Sequence, residues 1–419
     1  MVKIVKHRQD SQDWRFDVTI IGAGPSGLSL ACALGTAGHR AVCLEKAPAA
    51  QALHPRPDGR TLALSVRSAR ILRQTKVWPL MERDCCPIRH IHVADQESPR
   101  TLAFRQEDGG GGPFGWIVET QVFQNALLKR ARQLTKAGLL EVVYDARIER
   151  IEHSIAQAFS AVELQDGRIF LAPLLVAADG RRSHTRDKAG IPVYGWGYRQ
   201  SAVVCVVRHE LPHDNIAVEH FQPGGPFAVL PMADDRARSK GSRGKFFHRS
   251  SIVWTETTEA ARFLMQMEAR RFVAQLQERV RDYLGDIELV GERFSYPLSL
   301  QHARRYVEGR LVLVGDAAHG IHPIAGQGFN LGMGDIGDLV DLVSEATSLG
   351  LDVAEADALQ RYERGRIIDN EAMVVMTDGL VKLFSNAIPP AQALRRFGLG
   401  AVDRLPRVRR AFARHASGA

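Results

Sequence analysis

Apolar positions in the first third of this chain gather into short runs that end in glycine. Phe16-Asp-Val-Thr-Ile-Ile21 is a β-branched stretch that predicts a strand, and Leu28 to Gly38 reads as a helix. Between them lies Gly22-Ala-Gly24-Pro-Ser-Gly27. A second strand, Arg40 to Leu44, ends in Glu45. Further along, Leu174-Leu-Val-Ala-Ala runs into Asp179-Gly180, with Ser183 placed to cap the segment after it. Ser201–Val207, Ile216–Phe221, Phe227–Pro231 and Ser250–Trp254 are β-rich and predict a sheet. Helices are expected from about 355 to 415. The Gly-, Ser- and Arg-rich segment Ala233–His248 reads as a mobile hairpin tip.

Strand, glycine turn and helix come in the order a dinucleotide-binding unit requires. Gly22 permits the tight turn, Gly24 lets backbone approach a pyrophosphate, and Gly27 lets the helix pack closely. The helix start offers free N–H groups and positive potential. Glu45, eighteen residues past Gly27, stands where a carboxylate can accept both hydroxyls of an adenosine ribose and would repel a 2′-phosphate.

The most informative stretch is Arg310-Leu-Val-Leu-Val-Gly315-Asp316-Ala-Ala-His319-Gly-Ile-His322-Pro323-Ile-Ala-Gly326-Gln327-Gly328-Phe329-Asn330. A strand ends in Gly315-Asp316, a glycine-rich loop comes next, and a helix is expected to begin near Phe329. Asp316 can bond sugar or ribityl hydroxyls, and the small residues from Ala325 to Gly328 let a flat ring lie on bare backbone. The helix start would stabilise negative charge on that ring. His319 and His322 are three apart, but no carboxylate or thiol cluster completes a ligand set, so no metal is expected.

Composition narrows the classes. With 45% hydrophobic and 24% charged residues, the chain is neither disordered nor a multi-span membrane protein. Its net charge of +8 is concentrated: residues 1–15 carry +2, 234–249 carry +4 and 404–419 carry +5, which leaves about −3 for the rest. No basic stripe interleaved with aromatics occurs, so nucleic acid is not an expected partner. In the tail, helical spacing would put Arg407, Arg410 and Arg414 on one side, a face that could dock on anionic lipid. Five cysteines with no C-x-x-C make no disulfide framework. The first fifteen residues hold no apolar stretch resembling a signal peptide, and no run approaches the roughly 20 apolar residues of a membrane span, so a cytoplasmic location is expected.

Taken in this order, the three glycine-bearing patterns resemble the flavoprotein aromatic hydroxylases of the para-hydroxybenzoate hydroxylase type. More narrowly, the chain is similar to the ubiquinone-biosynthesis hydroxylases. That likeness rests on Asp58-Gly-Arg60-Thr-Leu-Ala-Leu-Ser65, Gly195-Trp196-Gly-Tyr198-Arg-Gln200-Ser-Ala-Val, Glu219-His-Phe221-Gln-Pro223-Gly-Gly225-Pro226-Phe-Ala-Val-Leu230-Pro231, Ser251-Ile-Val-Trp254 and His322-Pro-Ile-Ala-Gly-Gln-Gly-Phe-Asn-Leu-Gly. It spans about residues 16 to 415.

The resemblance implies an α/β protein with a discontinuous Rossmann-like FAD-binding domain (16–90, 117–188, 292–345). To this it adds a β-sheet substrate domain (91–116, 189–291) and a C-terminal helical region (346–419). Gly22, Gly24, Gly27 and Glu45 would hold the ADP half of FAD, and Arg60 would contact it near ribose and pyrophosphate. Gly315 and Asp316 would bind the pyrophosphate–ribityl region. Gly326, Gln327, Gly328, Phe329 and Asn330 would lie against the isoalloxazine, with His322 and Pro323 on the substrate side. Asp179-Gly180 matches the motif tied to flavin and reduced nicotinamide. At Glu119-Thr120-Gln121 the chain departs from the family pattern, and no flavin contact is carried over. The implied reaction is hydroxylation of a polyprenyl phenol with O2 through a C4a-hydroperoxyflavin, reduced by NAD(P)H or a reductase partner. A hydrophobic phenol implies contact with a membrane or a biosynthetic complex; a homodimer is compatible. His220, His322 and Tyr194 are candidate bases. A hydroxylase of soluble phenols and a flavin-binding scaffold subunit are the alternatives. A carboxylated substrate would call for an Arg in the pocket, and an apolar tunnel would favour a prenylated one.

Overall fold

The computed structural model describes residues 16–95, 101–222, 224–234, 248–280, 283–322 and 326–384. Six short strands form the central sheet, in the order Val307–Glu308, Leu311–Leu313, Leu174–Ala177, Val18–Ile21, Ala41–Leu44, Leu140–Val143. All pairs are parallel except the first. Parallel strands covered on both faces must be apolar throughout. Apart from Thr19, the sequences VTII, AVCL, LLVA and LVL meet that demand, with every residue buried.

One face is covered by helices Pro25–Ala37, Thr120–Lys136 and Gly328–Ser348, through Leu30, Leu34, Phe123, Leu127, Ile336 and Leu339. In Thr120–Lys136 the buried residues Phe123, Ala126, Leu127, Ala131 and Leu134 recur at helical spacing. The other face is covered by the antiparallel strands Ile148–Glu152, Ser160–Leu164 and Ile169–Ala172, whose Val162 and Phe170 pack on Ile21, Leu175 and Leu313.

A second, eight-stranded sheet holds the expected β-rich runs, each inside a longer strand: Val193–His209, Ile216–Gln222, Gly225–Met232 and His248–Thr257. The strand Ile287–Ala303 pairs with Val193–His209, and His90–Asp95 with Thr101–Arg105 closes the far edge. Its outer face carries helices Thr258–Gln266 and Ala269–Val280, with Phe272 and Leu276 against Trp254 and Val203. Its inner face turns toward the first sheet.

Four expected domain limits fall inside elements: 90/91 within strand His90–Asp95, 116/117 within strand Gly115–Glu119, 291/292 within Ile287–Ala303, and 345/346 within helix Gly328–Ser348. Local composition does not show that one strand serves both halves. The helix Ala356–Phe384 packs on Gly328–Ser348. The tail arginines 407, 410 and 414, most of the basic hairpin and Pro323 lie outside the described residues. Among the described residues no helix is long and apolar enough to cross a membrane, and no cluster of His, Cys, Asp or Glu could hold a metal.

Candidate active site

The glycine turn sits where strand Val18–Ile21 meets helix Pro25–Ala37, and each glycine has its own geometric reason. Gly22 has φ +98°, and a Cβ there would stand 2.6 Å from the Ala178 carbonyl oxygen. A Cβ on Gly27 would stand 1.9 Å from the Gly22 carbonyl oxygen, so this glycine seats the helix on its own turn. Gly24 is the opposite case: nothing lies within 4 Å of its missing Cβ, and it lines the cavity. Open space beside an uncapped helix start is what an incoming phosphate needs. Glu45 braces the turn, its carboxylate accepting from Ala23 N–H (2.7 Å) and Ala47 N–H (2.8 Å).

From this turn a cavity of about 1300 Å³ runs past Arg60, Asp179, Arg181 and Asp316 to the inner face of the eight-stranded sheet. That exceeds the roughly 300–1,000 Å³ of a single small-ligand pocket and leaves room for a dinucleotide and a substrate together. The polar end holds Glu45, Lys46, Arg60 and Asp316; the far end holds Ala202, Val204, Val253, Leu298 and Ile321.

Asp316 is the one exposed residue between Leu311 and Gly320. It lies in the single turn Gly315–Ala317 and lines the cavity, so it can accept from a ligand hydroxyl. The 21-residue helix Gly328–Ser348 opens beside it without a side-chain cap, and Gly326, Gly328 and Phe329 line the cavity. Gly326 has φ +63°, with a Cβ 2.7 Å from the Ala63 methyl. Gly332, one turn in, would place a Cβ 3.0 Å from Gly315 Cα, so this helix lies backbone to backbone on the loop. Its dipole and unpaired N–H groups are thereby aimed at the cavity.

Other expected contacts have different work. The Asn330 side chain does not face the cavity. Its Oδ1 accepts from Ser65 N–H (2.9 Å) and the Ser68 hydroxyl (2.7 Å), and its amide donates to the Ala63 carbonyl (2.8 Å). A polar clasp thus ties the helix start to strand Thr61–Ser65. Gln327 Oε1 lies 3.4 Å from the Asn330 amide, away from the lining. Asp179 lines the cavity but also organises the next helix, accepting from the Ser183 hydroxyl (2.5 Å) and from Thr185 N–H (3.1 Å). Ser183 caps helix His184–Lys188 as its position suggests. Arg60 is held by Asp58 (Nε to Oδ2 2.7 Å) and lies over the Tyr296 ring at 5.1 Å.

His322 is fully buried behind the lining, its ring edge-on to Tyr198 at 5.0 Å, and burial pushes its pKa down to about 4. A ring expected on the substrate side is therefore packed against the Tyr198–Asp378 pair, whose hydroxyl donates at 3.0 Å. Tyr194 stacks near His302 and Arg304, also away from the cavity.

Sequence reading missed a buried charge network. Asp335, with no exposed surface, has His319 Nε2 at 2.6 Å and accepts from Gly315 N–H (3.0 Å), Arg366 Nε (2.8 Å) and the Asn370 amide (3.3 Å). Burial alone would raise the Asp335 carboxyl, but His319 and Arg366 outweigh it and hold the carboxyl below its usual range. The network fixes the Gly315–Asp316 turn from beneath. The residues present fit FAD: an open approach beside the helix start at Gly24, the acids Glu45 and Asp316 in the cavity wall, and a second uncapped helix start at Gly328.

Comparison with known proteins agrees. The FAD binding domain family matches residues 15–375. Ubiquinone hydroxylase UbiL of Rhodospirillum rubrum is 42% identical, over 97% of this chain and 91% of its own. The 3-demethoxyubiquinol 3-hydroxylase of Escherichia coli is 32% identical, over 96% of this chain and 98% of its own. Among solved structures, PqsL, a probable FAD-dependent monooxygenase from Pseudomonas aeruginosa, shares the fold with a TM-score of 0.73 at 23% identity, over 92% of this chain and 99% of its own. A sheet, turn and helix start built for a flavin, and relatives of this kind along nearly the whole length, lead to one assignment: the chain belongs to the family of FAD-dependent aromatic monooxygenases.

Proposed function

We propose that this protein hydroxylates the aromatic ring of a polyprenyl phenol in ubiquinone biosynthesis, with FAD, O2 and an external electron donor. Bound FAD supplies the oxygen-activating chemistry. The residues of this chain bind, orient and exclude water. Gly24 and the start of Pro25–Ala37 receive the pyrophosphate, while Glu45 and Asp316 accept from sugar and ribityl hydroxyls. The start of Gly328–Ser348 favours negative charge on the reduced ring. The apolar sheet face beyond it keeps water from the reacting carbons.

The observation that carries the substrate class is that apolar face. The sheet lends the cavity Ala202, Val204, Ser251, Val253, Tyr296, Pro297, Leu298 and Ser299, with no arginine among them; the arginines that line the cavity, Arg60, Arg147, Arg181 and Arg182, come from other elements, with Arg60 held by Asp58 and Arg181 bonded to Ser299. The sheet arginines that could meet a carboxylate are engaged elsewhere: Arg249 with Glu119 at 2.7 Å, Arg208 with Glu288 at 3.4 Å, and Arg293 with the Leu264 and Met267 carbonyls. That favours an uncharged prenylated phenol over a soluble aromatic acid. So insoluble a substrate would be drawn from a membrane surface or a carrier complex.

The test uses purified holoenzyme, a reductant, heavy-isotope oxygen gas and two probes, 2-farnesylphenol and para-hydroxybenzoate. Labelled oxygen in the farnesyl product alone is expected. Labelling of the acid, with the prenylated probe untouched, would overturn the substrate class.

A further inference from the structure

Two hydroxyls meet where the two sheets face each other across the cavity. Thr61 opens strand Thr61–Ser65, and Ser251 lies in strand His248–Thr257; both line the cavity. The Thr61 hydroxyl donates to Ser251 Oγ at 3.1 Å. Side chains alternate along a strand, so Thr61 shares a face with Ala63, whose methyl lies 2.7 Å from the place a Gly326 Cβ would take. By the same rule Ser251 shares a face with Val253, another lining residue. The pair therefore stands between the glycine loop that leads into helix Gly328–Ser348 and the apolar sheet face.

Its surroundings make it an exception. Ser251 has Val206 and Leu230 as cross-strand neighbours, and Ala202, Val204, Val253 and Leu298 form the apolar wall beyond. The sheet lends the cavity two other hydroxyls, and both are engaged: Tyr296 donates to the Asp58 carbonyl (2.8 Å), and Ser299 Oγ accepts from Arg181 (2.9 Å). The Thr61 and Ser251 hydroxyls bond only each other among the described residues. Two hydroxyls joined by one bond leave one proton and several lone pairs unused. Ser251 is fully buried whereas Thr61 keeps accessible surface, so the spare capacity reaches the cavity at Thr61 Oγ1. Hydroxyl protons rotate; this oxygen can accept from a ligand while donating to Ser251, or donate while accepting from it. The pair is not needed to tie the sheets together. Glu119, in register with Thr61, already takes Arg249 at 2.7 Å, and neither of those residues lines the cavity.

We propose that Thr61 Oγ1 binds the phenolic hydroxyl of the substrate, with Ser251 as the residue that positions it. One fixed hydrogen bond at the edge of an apolar wall orients the ring and so sets which carbon faces the flavin. It also discriminates a hydroxylated ring from its deoxy counterpart, which would leave the pair unanswered. This inference rests on the phenol hydroxylase function proposed for the cavity and names the atom that would recognise the phenol.

The experiment titrates wild-type holoenzyme, Thr61→Val, Thr61→Ser and Ser251→Ala with 2-farnesylphenol and with farnesylbenzene, which lacks the hydroxyl. Binding is followed by the spectrum of the bound flavin; FAD content and the ring positions hydroxylated in the phenol are read alongside. The wild type should bind the phenol about tenfold more tightly than farnesylbenzene and give a single product. Thr61→Val should keep its FAD and its affinity for farnesylbenzene, bring the ratio within about twofold, and scatter the product over more than one ring carbon. Thr61→Ser should restore the ratio, and Ser251→Ala should lower it about threefold. An unchanged ratio in Thr61→Val, both probes weakened alike, or a change confined to FAD affinity overturns the inference while the function stands. So does a wild type that binds the two probes equally. A wild type that neither binds nor oxidises the phenol overturns both. If Thr61→Val loses its flavin, Ser251→Ala decides, and a wild-type ratio there overturns the proposal.

Discussion

Asp335→Asn is the substitution that tests how this site is held. It keeps the shape of the side chain and removes the charge on which His319 and Arg366 converge. Arg366 is buried, and the carboxylates left to it would be Asp338 at 3.2 Å and Asp369 at 3.0 Å, both facing solvent, beside its bonds to the Leu331 carbonyl and Asn370 Oδ1. Removing one partner of a buried ion pair costs about 3–5 kcal/mol; these outer carboxylates place the expected loss at the lower end, about 3 kcal/mol. At roughly 2 °C per kcal/mol for a large chain, the thermal midpoint should fall by roughly 6 °C. The turn bearing Asp316 is bonded to the same carboxylate through Gly315 N–H, so FAD affinity should fall at least about tenfold. Differential scanning fluorimetry with and without excess FAD, together with a flavin titration, reads both effects. A double variant Asp335→Asn/Arg366→Met should cost much less than the sum of the singles, because the first change has removed what Arg366 neutralises. A midpoint within about 1 °C of wild type, with unchanged flavin affinity, would refute the reasoning.

The glycine turn separates folding from binding. Gly24→Ala should leave the thermal midpoint nearly unchanged, since its Cβ meets open space, yet weaken FAD about tenfold or more in a titration. Gly27→Ala should destabilise the protein itself by about 2–3 kcal/mol in chemical denaturation, since its Cβ would overlap the Gly22 carbonyl. Asn330→Ala removes bonds to Ser65, Ser68 and Ala63, and urea unfolding should show a loss of about 2–3 kcal/mol with impaired flavin retention. Glu219 has its folded-state pKa raised from 4.5 to about 7, so its ionisation opposes folding once pH exceeds the unfolded value. Glu219→Gln should therefore match wild-type stability near pH 4 and exceed it above pH 7, by at most about 3 kcal/mol, in denaturation curves taken across that range.

What the sequence revealed was what local geometry dictates. Gly22 and Gly27 are readable because tight turns and close helix contacts exclude a Cβ whatever the rest of the fold does. The start of Gly328–Ser348 is readable because a glycine-rich loop must precede an open helix end. Roles that depend on residues distant along the chain were hidden. Asn330 looks like a ring contact until Ser65 and Ser68 arrive beneath it. Asp335 becomes a hub only when helix Ala356–Phe384 brings Arg366 and Asn370 to it. His322 sits in a motif that suggests the substrate side, yet Tyr198, from the other sheet, takes its ring.

The central claim is that the cavity from Gly24 to Val253 holds FAD with its ring facing a prenylated phenol. Its most direct measurement is an equilibrium titration of flavin-free protein with FAD, monitored by quenching of flavin fluorescence, and repeated with 2-farnesylphenol present. Stoichiometric saturation, and a perturbation of the bound flavin spectrum by the phenol, is the predicted result. A protein that never saturates with FAD, or whose bound flavin is indifferent to the phenol, would contradict it.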